Sequence, residues 1–191
     1  MTLEAMRYAL GELLDGNTEE RYTLLNKIRR LNLAQNELVS GMVSGLPPDR
    51  VRYLPLPLKS VTLAPEATPQ NYFDLPTDFF YPLSAEGESV GSDYVFLMPG
   101  MPTKFPYGGS YAQPTIRIEG QKAYLHGRTH NETLTLWYYR FPREMKYNGQ
   151  VDMEGNTYAG DNINCELPEE FHSKIVLKAL ELTKIAENLN S

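Results

Sequence analysis

Apolar residues recur at spacings of three and four at the start of the chain, which is the period of an amphipathic helix. The first stripe predicts a short helix that ends at Asp15-Gly16. The second stripe predicts a longer helix that runs to about Ser40, before glycines and prolines interrupt the pattern. The members of the first stripe are Leu3, Met6, Leu10 and Leu13, and those of the second are Leu24, Ile28, Leu31, Leu38 and Met42.

The longer helix has a predicted start and a predicted exposed face. Asn17, with Glu20 three positions later, has the form of a capping box, in which two side chains bind backbone N–H groups that lack a partner in the first turn. Lys27, Arg29 and Arg30 are close together on this helix. They predict that its exposed face is basic.

A third helical stripe closes the chain. Pro168 followed by Glu169 and Glu170 is typical of a helix start, because proline lacks an N–H there and acids interact favourably with the helix dipole. The stripe consists of Phe171, Ile175, Ala179, Leu182 and Ala186. Each terminal helix needs a partner for its apolar face, so we expect them to pack together.

Between the helices the pattern changes to short apolar runs that prolines, glycines and tyrosines interrupt, which favours β-strands. Residues 115–120 and 122–126 alternate between apolar and polar on both sides of a Gly-containing turn and predict a hairpin. Residues 133–139 alternate too and predict a further strand. Its inward residues are predicted to be Leu134, Leu136 and Tyr138.

These elements together predict an α+β fold, in which N- and C-terminal helices pack as a small bundle that carries an inserted antiparallel β-rich lobe. With 191 residues, 41% of them hydrophobic, the chain is expected to form a single domain with a substantial core. Residues 148–164 are polar and aperiodic and indicate a solvated loop or arm. The predicted divisions are helices in 1–48, the β-rich insertion in 49–142, a loop or arm in 143–166 and the last helix in 167–191.

The overall charge and the cysteine content exclude several classes of protein. Eighteen Lys and Arg against 24 Asp and Glu give a net charge of −6, which disfavours tight binding of nucleic acid. Cys165 is the single cysteine, so no intrachain disulfide forms and a reducing compartment fits. No basic segment precedes an apolar run, and no stretch is long enough to span a membrane, so we expect a soluble cytoplasmic product.

The residues that could perform chemistry do not form a catalytic or metal-binding motif. His126 and His130 are four apart but flank a predicted turn without the Glu of a metalloprotease pattern. His172 is in the first turn of a helix, which favours a surface or interface role, and Asp78 is predicted to open a helical turn. Cys165 lies beside an acid, which raises a thiol pKa and disfavours an activated nucleophile. We therefore expect no catalytic residue, metal or cofactor.

Five segments taken together resemble the adaptor, or head-to-tail connector, proteins of tailed phages, a group that includes the tail tubular protein A type. Their order is a helix, a Leu-Pro-x-Asp-Phe turn, a strand hairpin, a Tyr-Tyr-x-x-Pro strand and a closing helix. The segments are 28–38, 75–79, 116–120 with its partner strand, 134–142 and 167–172. Residues 94–113, with several prolines, depart from the family pattern.

The resemblance implies a structural virion protein without catalysis. It implies a ring, typically of twelve copies, that lies in the neck of the virion after synthesis in the host bacterial cytoplasm. The implied partners are other copies of the chain, the portal protein and a tail nozzle, stopper or tail tube protein, with no membrane. DNA would pass through the ring without specific binding. Twelve copies would carry a charge of roughly −72, which repels phosphate and lets DNA slide.

In a ring, we expect the basic residues of the second predicted helix to lie at contacts between subunits. Lys27, Arg29 and Arg30 are predicted to pair with acids on a neighbouring subunit. The candidate acids are Glu19, Glu20 and Glu37. Residues 148–164 are predicted to be an arm that orders when it meets a neighbouring protein.

Two alternatives to the adaptor are open at the level of the sequence. A stopper or tail-completion protein also forms a ring on the same axis. A carbohydrate-binding or hydrolytic β module is suggested by the thirteen tyrosines, because aromatic rings stack on sugars, although tyrosine also suits half-buried strands and protein interfaces.

Overall fold

The computed structural model describes residues 1–14, 23–63, 72–87, 95–97, 115–126, 133–151 and 154–189. These residues form four helices and seven strands, so the predicted α+β class is confirmed. The helices are α1 Leu3–Leu13, α2 Leu24–Ser44, α3 Pro48–Val51 and α4 Glu169–Leu189. The strands are β1 Leu58–Leu63, β2 Tyr72–Asp74, β3 Phe79–Gly87, β4 Val95–Leu97, β5 Thr115–Glu119, β6 Lys122–His126 and β7 Leu134–Arg140.

The chain divides into two compact units. The helical unit consists of residues 1–57 and 142–191, and the strand unit consists of residues 58–141. Both ends of the chain therefore belong to the same unit, and the strands are inserted between its two parts in the sequence. The insertion starts after α3, a short helix that occupies the beginning of the region predicted to be β-rich.

The terminal helices pack together as predicted, since α4 contacts both α1 and α2. The inner face of α4 is lined by residues that recur every three or four positions, the spacing of one helical face. These residues are His172, Ile175, Val176, Ala179 and Thr183. This buried set differs from the predicted stripe, because its members Phe171, Leu182 and Ala186 are only partly buried.

The apolar stripe of α1 differs from the prediction at its last position. Leu3, Met6 and Leu10 are buried, but Leu13 is 43% exposed and Leu14 is buried in its place. Leu14 follows Leu10 by four residues and caps the helix end, so its side chain returns to the inner face. The prediction for Leu13 is therefore wrong.

Helix α2 begins later and ends later than its sequence pattern predicts. Its N-cap is Thr23, whose hydroxyl accepts a hydrogen bond from the Asn26 backbone N–H at 3.3 Å. The predicted cap at Asn17 is therefore wrong for this helix, and Asn17 itself lies outside the described residues. The helix continues past Gly41 to Ser44, because one interior glycine costs only about 1 kcal/mol of helix propensity.

The strand unit contains two sheets, with strand orders β1-β7-β3 and β2-β6-β5-β4. The predicted hairpin is confirmed: β5 and β6 pair antiparallel, and Gly120 in the turn has φ +59°, a left-handed conformation that favours glycine. One pair departs from the predicted antiparallel lobe, because β4 and β5 run parallel. Residues 98–114 separate these strands, and a parallel pair requires a crossover of about a dozen residues or more.

The core of the strand unit draws on both sheets. Leu134, Leu136 and Tyr138 of the central strand β7 are buried as predicted, and the neighbouring Tyr139 is buried as well. The other buried members of this core are Phe73, Leu75, Ala85, Ile116, Ala123 and Leu125. Side chains from the two sheets thus bury one another's apolar faces.

Candidate functional site

A cleft of about 680 Å³ runs along α2 in the helical unit, with residues 144–151 and 154–158 on its opposite side. Its volume is within the range of about 300–1,000 Å³ that ligand pockets occupy. The α2 wall consists of Leu25, Arg29, Asn32, Leu33 and Asn36. The opposite wall includes Glu144, Lys146, Gln150, Glu154, Thr157 and Tyr158. Hydrogen-bonding groups and leucines share this lining, which makes the cleft the candidate functional site.

Two amide side chains of α2 attach the opposite wall to the helix. Asn32 donates to the Met145 carbonyl oxygen at 3.1 Å and accepts from the Met145 N–H at 2.8 Å. Gln35 donates to the Arg143 carbonyl oxygen at 3.2 Å and is almost fully buried. We call Asn32 and Gln35 the amide clamp. It satisfies main-chain groups that lie outside any sheet and so fixes the position of the cleft wall.

The side chains of Cys165 and Glu166 hydrogen-bond to Gln35 of the amide clamp and to its partner Arg143, respectively. Glu166 accepts hydrogen bonds from the Arg143 backbone N–H at 2.9 Å and from its guanidinium Nε at 2.7 Å. The Cys165 thiol donates to the side-chain amide oxygen Oε1 of Gln35 at 3.2 Å. Burial, and secondarily the charge of Glu166, raises the pKa of Cys165, so the thiol keeps the proton that it donates. The predicted effect of the neighbouring acid is confirmed, although burial is the larger cause.

The opposite wall folds back on itself through main-chain hydrogen bonds. Lys146 and Ile163 exchange two such bonds of 3.1 and 2.8 Å, and Tyr158 bonds with Gly149 and Gln150 at 2.8 Å each. Gly149 has φ +84°, a conformation that favours glycine over other residues. The expectation of an aperiodic arm over 148–164 did not include this internal pairing. The ordering of the segment by a neighbouring protein stays a prediction.

The predicted interface charges lie in different environments. Lys27 is only 9% exposed, so the prediction of an exposed basic face is wrong at this position: Lys27 is on the same side of α2 as Leu31. Arg29 lines the cleft, and Arg30 is half-buried. Glu37 lies 3.5 Å from the Lys178 ammonium of α4 in the same chain.

The other two candidate acids, Glu19 and Glu20, lie outside the described residues. The structure thus brings one of the six predicted charges, Arg29, to the cleft. It gives another, Glu37, a partner within the chain. Pairing of these charges between subunits stays a prediction.

Among the described residues that line the cleft, four carry a formal charge and these charges cancel: Arg29 and Lys146 are basic, whereas Glu144 and Glu154 are acidic. The Lys146 ammonium lies 3.9 Å from the Glu144 carboxylate. The Arg29 guanidinium makes no hydrogen bond or ion pair with another residue in the part of the chain that the structure describes. The described lining therefore offers one unpaired guanidinium without an excess of positive charge that would attract a polyanion.

A second polar cluster lies in the strand unit around Asp78. Its carboxylate accepts hydrogen bonds from the Tyr138 hydroxyl at 2.9 Å and from the Lys59 ammonium at 2.6 Å. Burial by itself would raise the pKa of Asp78, but the bonds from Lys59 and Tyr138 outweigh it and lower that pKa. Burial and the bond to Asp78 raise the pKa of Tyr138 to about 12. Asp78 therefore stabilises the packing of this turn, which leads into strand β3 and not into the helical turn that was predicted.

This cluster makes stability depend on pH in a defined direction. Because the folded-state pKa of Asp78 is lowered, its contribution is present above its ordinary value of 3.8 and is lost as the pH falls through the lowered value. We expect Tyr138→Phe to lower the free energy of unfolding near pH 7 by about 1 kcal/mol, and by less at acid pH. Urea unfolding between pH 7 and pH 2.5 measures the difference, and a constant difference across this range would contradict the role of Asp78.

His172 is the histidine whose surroundings the structure describes in full. His172 is buried, and its Nε2 lies 2.8 Å from the Leu167 carbonyl oxygen, so the predicted surface or interface role is wrong. The inner face of α4 carries this side chain because it precedes Ile175 by three residues. His126 ends β6, and His130 lies outside the described residues. No group of three or more potential metal ligands occurs in the described ranges, and none of the described helices is long and apolar enough to cross a membrane.

Comparison with known proteins adds no family. No protein-family model matches the chain. No curated protein matches it either. The functional conclusion therefore depends on the sequence pattern and on the fold.

Four of the described tyrosines of the strand unit are poorly placed for stacking on a sugar. Tyr138 and Tyr139 are buried. Tyr72 and Tyr124 are neighbours, with ring centroids 5.6 Å apart, but the rings are tilted by 52°. The Lys122 ammonium lies 3.8 Å from the Tyr72 ring centroid and occupies one face of that ring. These contacts favour a structural role for these four tyrosines.

Sequence reasoning missed the amide clamp, although a signal for it was present. Gln35 follows Leu31 by four residues and therefore lies on the buried side of α2, where an uncharged polar group needs a hydrogen-bond partner. The pattern could not name that partner, because Arg143 is 108 residues away in the chain.

Proposed function

We propose that this chain is a structural virion protein that forms a ring adaptor between the portal and the tail of a tailed phage. The observation that carries the proposal is the arrangement of the chain: both terminal segments pack in one helical unit, and the strand unit is inserted between them. This is the order of elements that the resemblance to the adaptor proteins implies. A ring of such chains would act through contacts with other proteins and not through catalysis.

The positions of the resembling segments support the proposal. Residues 28–38 belong to α2, residues 134–142 include β7, and residues 167–172 lead into α4. Residues 75–79 form the turn between β2 and β3, and residues 116–120 complete β5 and its turn. Each segment thus has the type of structure that the family pattern assigns to it.

Contacts between two of these segments give the pattern a physical reason. Asp78, the acid of the Leu-Pro-x-Asp-Phe turn, accepts a hydrogen bond from Tyr138, the first tyrosine of the Tyr-Tyr-x-x-Pro strand. The Phe141 backbone N–H donates to the Asp78 carbonyl oxygen at 3.2 Å. The Lys59 ammonium binds the same carboxylate. The turn and the strand are about 60 residues apart in the chain, and these bonds stabilise both. This contact supports the occurrence of the two motifs in one family pattern.

The acidity of the chain is compatible with a conduit for DNA. A net charge of −6 on each copy makes a ring repel phosphate, so DNA is not retained by electrostatic attraction. The formal charges of the described residues that line the cleft cancel, so these residues do not form a local basic patch for DNA either.

The proposal is tested by mixing the purified chain with the portal ring encoded by the same genome and determining the mass of the product by native mass spectrometry. We expect the ring to bind this chain in fixed stoichiometry, and a portal ring from an unrelated phage serves as the control. A portal ring that stays bare at micromolar chain concentration would contradict the proposal. Binding only to a ring that already carries another adaptor would favour the stopper alternative.

A further inference from the structure

Two side-chain amides that line the cleft along α2 have hydrogen-bonding groups without a described partner. The Asn36 side chain makes no hydrogen bond with another described residue, so its amide has free donors and a free acceptor. Gln150 uses its side-chain oxygen to accept from the Tyr147 N–H at 3.3 Å, which leaves its NH₂ group available. These amides stand on opposite walls of the cleft. A ligand between them would find both donors and acceptors.

An extended polypeptide fits such a lining, because its main chain offers N–H and C=O groups along its length and its side chains alternate in direction. Leu25 and Leu33 provide apolar contacts on the α2 wall, and Leu33 is 44% exposed. The amide clamp fixes the opposite wall, so little ordering of the site is needed before a segment binds.

Arg29 adds a preference for an acid. Its guanidinium presents five N–H donors in a planar fork that matches a carboxylate, and no described residue occupies them. The Lys146 ammonium already has the Glu144 carboxylate as a neighbour. A single carboxylate would give the Arg29 guanidinium an ion-pair partner, whereas a polyanion would also meet Glu144 and Glu154.

We propose that the cleft receives an extended, carboxylate-bearing segment of a second copy of this chain, and that Arg29 binds the carboxylate. This inference rests on the proposed function, in which every copy has another copy beside it in the ring. Each copy carries 24 acidic against 18 basic residues, so a neighbour presents an excess of carboxylates to the unpaired guanidinium. The contact is heterologous, from a segment of one copy to the cleft of the next, which is the type of contact that closes rings.

Photo-crosslinking from the cleft identifies the occupant. Leu33 is replaced by benzoylphenylalanine, and ¹⁴N-labelled and ¹⁵N-labelled chains are mixed, both on the portal ring and alone at high concentration. We expect crosslinked peptides of mixed isotope composition that contain Asp or Glu. The same replacement at Leu177, which is 58% exposed and outside the cleft lining, is the matched control. Crosslinks confined to one isotope, crosslinks to the portal protein in place of a second copy, or no crosslink from Leu33 would overturn the inference.

Substitution of two arginines of the helical unit tests the role of the guanidinium. In the photo-reactive chain we expect Arg29→Ala to lower the yield of mixed-isotope crosslinks about tenfold, which is typical for loss of one charged hydrogen-bonded contact. Arg50→Ala removes the same charge from an exposed arginine of α3 that is outside the cleft lining, and it should leave the yield within about twofold. Circular dichroism verifies that both variants fold. Equal yields for the two variants would contradict the assignment of Arg29.

The two proposals fail in different ways. If the unsubstituted chain does not bind the portal ring, the proposed function fails, and the isotope experiment on the concentrated chain alone still decides whether copies meet at the cleft. If the unsubstituted chain binds the portal ring but Arg29→Ala crosslinks like Arg50→Ala, the ring adaptor stands and the cleft inference is overturned.

Discussion

Ile175→Ala is expected to lower the free energy of unfolding of the helical unit by about 3 kcal/mol. Ile175 is fully buried on the inner face of α4, so truncation removes apolar contacts and leaves a cavity that the neighbouring helices fill only in part. Helix α4 contacts both α1 and α2, so a loss at this position weakens the packing of both ends of the chain. Urea unfolding followed by circular dichroism at 222 nm measures the effect.

The matched control is two residues further along the same helix. Leu177 is also a branched aliphatic residue but is exposed, and Leu177→Ala should change stability by no more than about 0.5 kcal/mol. Helix propensity rises or stays nearly equal in both substitutions, so the comparison isolates burial. Equal destabilisation by the two substitutions would mean that α4 does not bury the face assigned to it.

Asn32→Ala is expected to destabilise the helical unit by about 2–3 kcal/mol, because it removes both hydrogen bonds that Asn32 makes with the main chain of Met145. The Met145 N–H and carbonyl groups lie in a part-buried environment, where unpaired polar groups cost more than the net value of a hydrogen bond. The Met145 side chain is fully buried, so displacement of its backbone also disturbs apolar packing. Urea unfolding again gives the magnitude.

Asn36→Ala is the control for this effect, since Asn36 is one turn further along α2, is exposed, and its side chain has no partner among the described residues. We expect it to change stability by no more than about 0.5 kcal/mol. Hydrogen exchange of the Met145 amide provides a local measurement: its protection should fall in Asn32→Ala and stay unchanged in Asn36→Ala. Unchanged protection in both variants would contradict the amide clamp.

The sequence by itself predicted the elements whose signals are local. The hairpin of β5 and β6 has alternation and a turn glycine within a dozen residues, and β7 has its inward residues at every second position. The helices α1 and α4 have apolar stripes at helical spacing. Such patterns suffice because the periods of strand and helix are fixed by backbone geometry and do not depend on the partner.

Only the tertiary structure decided which polar groups are buried and what they bind. Lys27 and His172 have sequence contexts that suit exposed residues, yet both face the interior of the helical unit. The side chain of a helical residue belongs to one face, and the packing of the other helices determines how wide the buried part of that face is. The spacing of apolar residues in the sequence identifies the centre of the buried part of a helix face, but not how far that part extends.

The cleft, too, could be identified only from the tertiary structure. Arg29 was a candidate from the sequence, but the wall opposite it is held by bonds that join Asn32 to Met145, 113 residues away, and Gln35 to Arg143, 108 residues away. The parallel pairing of β4 with β5 is likewise absent from any local pattern. Hydrogen bonds between distant residues form because folding excludes water from groups that then need partners, and the chain as a whole decides which groups meet.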